Sequence, residues 1–136
     1  MISGARPPRS VPWAPKPKNR EEVSLEILCQ SRSFVTVVAP RGRIDAATSP
    51  ELENRLLALI QRGEADIVLD LAAVDYMASR GLRILLLVTR KCQQSEARFA
   101  LAGINDFVRD LLTITGFLPH FEVFDTVDAA VAAMAA

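Results

Sequence analysis

The chain has 136 residues, half of them hydrophobic and 24 % charged, enough for one domain that buries its own core without disulfides or metals. No apolar run approaches the roughly 18 residues of a membrane span, and the first 20 residues lack a signal-peptide core, so membrane insertion is not expected. The net charge of zero divides into +5 over residues 1–20 and −5 over residues 21–136, and an acidic domain without a basic stripe argues against nucleic acid as the partner.

Residues 1–20 hold five of the eight prolines and no acid, which predicts a flexible, Pro/Arg-rich tail ahead of a domain over 21–136. A sharper reading makes this tail a docking arm for an acidic surface, with Trp13 as anchor. From Glu22 the pattern changes. Val23, Leu25, Ile27 and Cys29 alternate with polar residues, as in a strand with one buried face. Gln30–Ser33 reads as a turn, and Phe34–Ala39 as the return strand of a hairpin that reaches Ile44, with Pro40 marking a bulge or an edge position. Ser49 is then the expected N-cap of a helix with Pro50 at its first position, and Gly63 its end.

Ile67–Leu71 is short, apolar and β-branched, and predicts a buried strand. Ala72–Ala78 reads as a turn. Leu82, Leu85, Leu86 and Thr89 follow at helical spacing, so Ser79 stands at the start of a buried helix. Arg98–Leu101 reads as a strand, Asn105 caps a helix to about Thr115, Phe121–Phe124 is a last strand, and Asp125 or Thr126 caps a terminal helix. The order ββαβαβαβα describes an α/β domain with a mixed sheet of about five strands and about four helices.

Ser79 admits two readings. As an N-cap its hydroxyl satisfies one helix amide and contributes about 1 kcal/mol. As a phosphoryl acceptor it would place the phosphate at the positive end of a helix, where the charge is tolerated without unfolding and alters the surrounding surface. Asp45 ends a strand whose crossover leads toward Leu71, which sets Asp45 and Ser79 on one edge of the sheet; the plainer alternative is a turn aspartate bonded to its own backbone. Arg80 is a cation in a first helical turn, either paired with Asp75 or solvated, or displayed beside Ser79 for a partner or a phosphate. Catalysis is not expected: His120 is the only histidine, the glycines form no phosphate loop, and no His, Cys or carboxylate cluster suggests a metal or cofactor. Cys29 and Cys92 read as reduced thiols of a cytoplasmic protein.

Three segments carry a family resemblance: Gly42-Arg43-Ile44-Asp45-Ala46-Ala47-Thr48; Ile67–Leu71 followed by Val74–Leu82; and Val108–Leu112 followed by Thr115–Leu118. In these, and from Glu22 to the end, the chain resembles STAS domains of the anti-sigma factor antagonist type. The resemblance implies a single STAS-like α/β domain and a non-enzymatic partner switch. The partner would be an anti-sigma factor of the serine-kinase type, with a phosphatase that resets the switch. By position, Ser79 corresponds to the phosphorylated serine, and Asp45, Thr48, Ala78, Arg80 and Gly81 to partner-binding positions. The family segment commonly reads Asp-Ser-Ser-Gly; here Ala78-Ser79-Arg80-Gly81 lacks the acid and gains a cation. The resemblance also allows an accessory subunit that binds the ATPase of a membrane lipid transporter, or a plain ligand-binding module.

Overall fold

The computed structural model describes residues 25–135. The tail expected over 1–20 and the Val23 that opens the alternating pattern lie outside the described residues. The elements are β1 (Glu26–Arg32), β2 (Val35–Ile44), α1 (Ser49–Gln61), β3 (Asp66–Asp70), β4 (Val74–Met77), α2 (Ser79–Gln94), β5 (Arg98–Ala102), α3 (Asp106–Ile114), a 3-10 turn at Leu118–His120, β6 (Glu122–Phe124) and α4 (Val127–Ala135). The architecture is the expected α/β with a mixed sheet, and it contains one strand more than the sequence suggested. That strand is β4, inside the stretch read as a turn. Four residues with only Val74 and Met77 fully buried are too few to show an alternating pattern.

In space the order is β1-β2-β3-β5-β6, and β4 lies beside β2. Only β1 and β2 are antiparallel; the remaining pairs are parallel, joined by helical crossovers as parallel strands require. β2 is long because it serves two partners in turn. Thr36–Val38 pairs with β3, and Gly42–Ile44 pairs with β4. Pro40 falls in the interval between them, where the missing amide interrupts no ladder on that side. The strand is therefore central, and its irregularity lies between Gly42 and Arg43 rather than at the proline.

Strand side chains alternate between two cores. Val38, Ile44, Ile67 and Leu69 face Leu52 and Leu56 of α1 and Leu82, Leu85 and Val88 of α2. Val35, Val37, Val68, Ala100 and Ala102 face Ala130, Val131 and Met134 of α4. Burial on both sides explains why β3 and β5 read as continuous apolar runs. β1 departs from expectation: Leu25 is buried, but Ile27 is only partly so and Cys29 is exposed, because β1 is an edge strand. It also runs through the predicted turn as far as Arg32. The hairpin turns instead at Ser33 and Phe34, both with positive φ (51° and 68°), the geometry of a two-residue hairpin that normally selects Asn or Gly.

Helix ends follow local chemistry. Asn105 caps α3 as expected, its side chain accepting from Val108 N at 2.9 Å. Gly63 (φ +88°) closes α1, with Gly63 N donating to Ile60 O and Glu64 N to Leu59 O, a Schellman arrangement. Two starts shift by one residue. Thr48, not Ser49, is the N-cap position of α1, and Ala78, not Ser79, is that of α2.

Two outcomes follow from backbone geometry. Phe34 is 95 % exposed in a left-handed conformation that costs an L-residue about 1–2 kcal/mol, so Phe34→Gly raises stability by about 1 kcal/mol. A higher urea midpoint at unchanged slope is the expected reading; a lower midpoint would mean the ring holds native contacts. Gly81 is buried, and a Cβ built on it would lie 2.5 Å from Ile44 Cγ2 and 3.0 Å from Met77 Cγ. Gly81→Ala therefore forces the first turn of α2 off β2 and β4 and costs about 1–3 kcal/mol, measured by the same titration. An unchanged midpoint would show that the turn yields freely.

Candidate partner-binding site

The site is built where β2 and β4 end together. Ile44 is paired with Met77, and beyond them Ala78 N donates to Ile44 O at 2.8 Å, so the start of α2 is fixed to the end of β2. Asp45 and Ala78 are thus the next residues on adjacent parallel strands, whose spacing is about 4.8 Å. Asp45 and Ser79 do share one edge of the sheet. The route differs from the expected one: β3 pairs only with the first part of β2, and β4 carries the chain up to Ser79.

Asp45 is a turn aspartate in its local chemistry. Its Oδ1 accepts from Ala47 N at 3.0 Å and Thr48 N at 3.1 Å. Thr48 returns the arrangement: its hydroxyl accepts from Asp45 N at 3.0 Å and donates to Arg43 O at 2.7 Å. Ser49 Oγ donates to Asp45 O, and Ser49 N does so at 2.8 Å. Thr48 is only 4 % exposed, so this network holds Asp45 in place from beneath while the carboxylate stays at the surface.

Ser79 is exposed at the first position of a sixteen-residue helix. Ala78 offers no side-chain cap, and the first turn holds no acid. Gly81 N and Leu82 N reach back to Ala78 O at 2.9 and 3.2 Å. The amides of Ser79 and Arg80 precede any intrahelical acceptor and are left for solvent or a ligand. The Ser79 hydroxyl therefore does no capping work for α2. Arg80 is exposed and makes no salt bridge among the described residues, so of the two plain readings the solvated one fits and a pairing with Asp75 does not form. Gly81 lies below this surface, packed on Ile44 and Met77.

Three residues at this edge escaped the sequence reading. Arg43 Cζ lies 4.3 Å from the centroid of the Tyr76 ring. The Tyr76 ring stacks on Phe107 with centroids 5.6 Å apart and planes 29° from parallel. Asn105 Nδ2 donates to Val74 O at 2.8 Å and so ties the start of α3 to β4. Arg43 and Tyr76 meet through strand register, and Phe107 through the packing of α3; no spacing along the chain could announce that.

Charge chemistry elsewhere is structural. Burial pushes the Cys92 thiol up to about 11, which keeps it protonated and unreactive at neutral pH. The hydrogen bonds from Arg98 hold the Glu122 carboxyl below its ordinary range and join β5 to β6. Among the described residues no group of three or more His, Cys, Asp or Glu could hold a metal, and no helix is long and apolar enough to cross a membrane.

Comparison with known proteins bears on this edge. The STAS domain family matches residues 26–130. The Bordetella bronchiseptica protein BtrV, which bears the name of an anti-sigma factor antagonist, is 38 % identical over 93 residues, covering 68 % of this chain and 80 % of BtrV. The crystal structure of an anti-sigma factor antagonist from Mycobacterium paratuberculosis superposes with a TM-score of 0.76 at 30 % identity, over 82 % of this chain and 95 % of that one. The phosphorylated form of the Bacillus cell fate determinant SpoIIAA shares the fold alone, at a TM-score of 0.63 and 16 % identity, over 81 % of this chain and 98 % of that one. A six-stranded mixed sheet, an edge built from Asp45 and Ser79, and a match across nearly all the described residues lead to one conclusion: the chain belongs to the STAS domain family, and the relatives it resembles are anti-sigma factor antagonists.

Proposed function

We propose that the protein is a cytoplasmic anti-sigma factor antagonist that binds an anti-sigma factor of the serine-kinase type and is released when that kinase phosphorylates Ser79. The observation that carries the reading is the exposed Ser79 at the start of α2, whose N-cap position has no side-chain cap, on the strand edge that also ends in Asp45. The hydroxyl caps nothing, so modifying it leaves the fold intact. The open amides and positive end of the helix accommodate a phosphate, with a stabilisation of some tenths of a kcal/mol at an exposed site. The interface feels the change much more strongly, because close to two negative charges appear in the middle of it.

Asp45, Ala78 and Arg80 provide the surface that the kinase reads, and Thr48 and Gly81 hold that surface in shape from below. The cation at Arg80 makes the unmodified surface less acidic and gives the phosphate a neighbour of opposite charge. A phosphatase that removes the phosphate returns the protein to its binding state. No step of this cycle needs a cofactor on this chain.

The test begins with purification of the tagged chain from its host to identify the kinase, followed by phosphoryl transfer from labelled ATP in the purified pair. Ser79→Ala should keep the fold and the affinity while losing the label entirely. Label at the normal level on this variant would end the assignment of the serine. Ser79→Asp should weaken binding about tenfold or more, equivalent to about 1.4 kcal/mol, in a calorimetric titration. Unchanged affinity would contradict the switch.

A further inference from the structure

Arg43 and Phe107 both stack on Tyr76, next along β2 and β4 from the Ser79 edge, and both are open to solvent: the Arg43 side chain is 58 % exposed and Phe107 45 %. Among the described residues the one carboxylate within ion-pair reach of Arg43 is Asp45, whose Oδ2 lies 3.9 Å from Nε, the outer limit of an ion pair. Asp45 already directs Oδ1 to the Ala47 and Thr48 amides. The terminal nitrogens of Arg43 make no hydrogen bond among the described residues, while the guanidinium carbon rests over the Tyr76 ring. A guanidinium seated on a ring, with its fork unpaired among the described residues, is matched to a carboxylate from outside.

The aromatic end of the stack continues along α3. Phe107, Leu111 and Ile114 fall at i, i+4 and i+7, which places them on one stripe of the helix. Ile114 is 83 % exposed, so Phe107 and Ile114 are two of the four large hydrophobic side chains exposed among the described residues. Asn105 anchors this helix to β4, and with it to the strand that leads into Ser79. The cation and the apolar ridge are therefore both attached to β4, the strand that leads into Ser79.

We propose that the Arg43–Tyr76–Phe107 stack and the ridge of α3 are the specificity-determining half of the partner surface: Arg43 receives a carboxylate of the anti-sigma kinase, and Phe107 with Ile114 enters an apolar recess beside that carboxylate. The inference rests on the binding function proposed above and adds the chemistry by which this chain selects its own partner. The charge of Arg43 fixes the sign of the complementary group, and its fork of donors offers a bidentate contact that a point charge cannot make. Pre-assembly lowers the ordering cost of the contact, since neither the guanidinium nor the Phe107 ring has to search for its position.

The test is a calorimetric titration of the full chain against the purified kinase identified by the phosphorylation assay, with Arg43→Ala, Arg43→Lys, Phe107→Ala and Ser79→Asp measured in parallel. Arg43→Ala and Phe107→Ala should each raise Kd about tenfold, as removal of an anchor at an interface centre does, with unfolding midpoints near that of the unmodified chain. Arg43→Lys should behave as Arg43→Ala, because an ammonium keeps the charge and loses the fork. If the unmodified chain does not bind the kinase, the proposed function fails, and this inference with it. If the chain binds, Ser79→Asp does not, and both Phe107→Ala and Arg43→Ala bind within twofold of it, the function stands and the stack is no part of the interface. Full affinity of Arg43→Lys would overturn the bidentate contact. A dimer that Phe107→Ala converts to monomer, with kinase affinity unchanged, would assign the ridge to a second copy of this chain instead.

Discussion

The parallel pairing of β4 with the last residues of β2 is the constraint on which the rest of the site depends. Through Ile44, Met77 and the amide of Ala78 it fixes the origin of α2 relative to the Asp45 turn. It is possible only because residue 81 has no side chain to hold the helix away. The same pairing sets Tyr76 beside Arg43, and the carbonyl of Val74 in the same strand receives the cap residue of α3. Four residues of strand thus tie together three elements that are remote in sequence. A small loss of packing under Gly81 would move the serine, the carboxylate and the stack together.

Stability and function are kept apart at this edge by the division of polar groups. Thr48 and Ser49 are buried and hydrogen-bonded to Asp45 or to the strand behind it, so they maintain the turn. Ser79, Arg80 and Arg43 are exposed and take almost no part in holding the fold. A charge added at Ser79 meets a helix end able to accept it, and in the proposed cycle the cost falls on the complex rather than on the domain. A regulator of this kind has to remain folded in both states.

Much of the fold was legible because both faces of the sheet are covered. Ile67–Leu71 and Arg98–Leu101 announce themselves as apolar runs, and Gly63 and Asn105 mark helix ends by well-understood backbone chemistry. The failures have equally physical causes. β4 is too short for periodicity, and the alternation around Cys29 gives no sign that β1 is the edge strand of the sheet. Ser79 looks like a cap because serine favours that position, yet the extended residue before the helix is Ala78, and strand pairing decides where the helix begins. Asp45 and Ser79 could be placed at one edge from connectivity alone. Arg43, Tyr76 and Phe107 could not, since they meet only through register and packing.

The most direct test of the account is the set of backbone amide shifts in the isotopically labelled chain when the unlabelled kinase is added. The account predicts that the largest changes fall at residues 43–48, 76–81 and 105–108, the three segments that the β2–β4 pairing brings together. The hairpin turn at Ser33 and Phe34, which precedes β2 at its opposite end, should stay unperturbed. Changes concentrated at that turn or along the β1 edge, with the Asp45 and Ser79 segments silent, would contradict the placement of the partner surface.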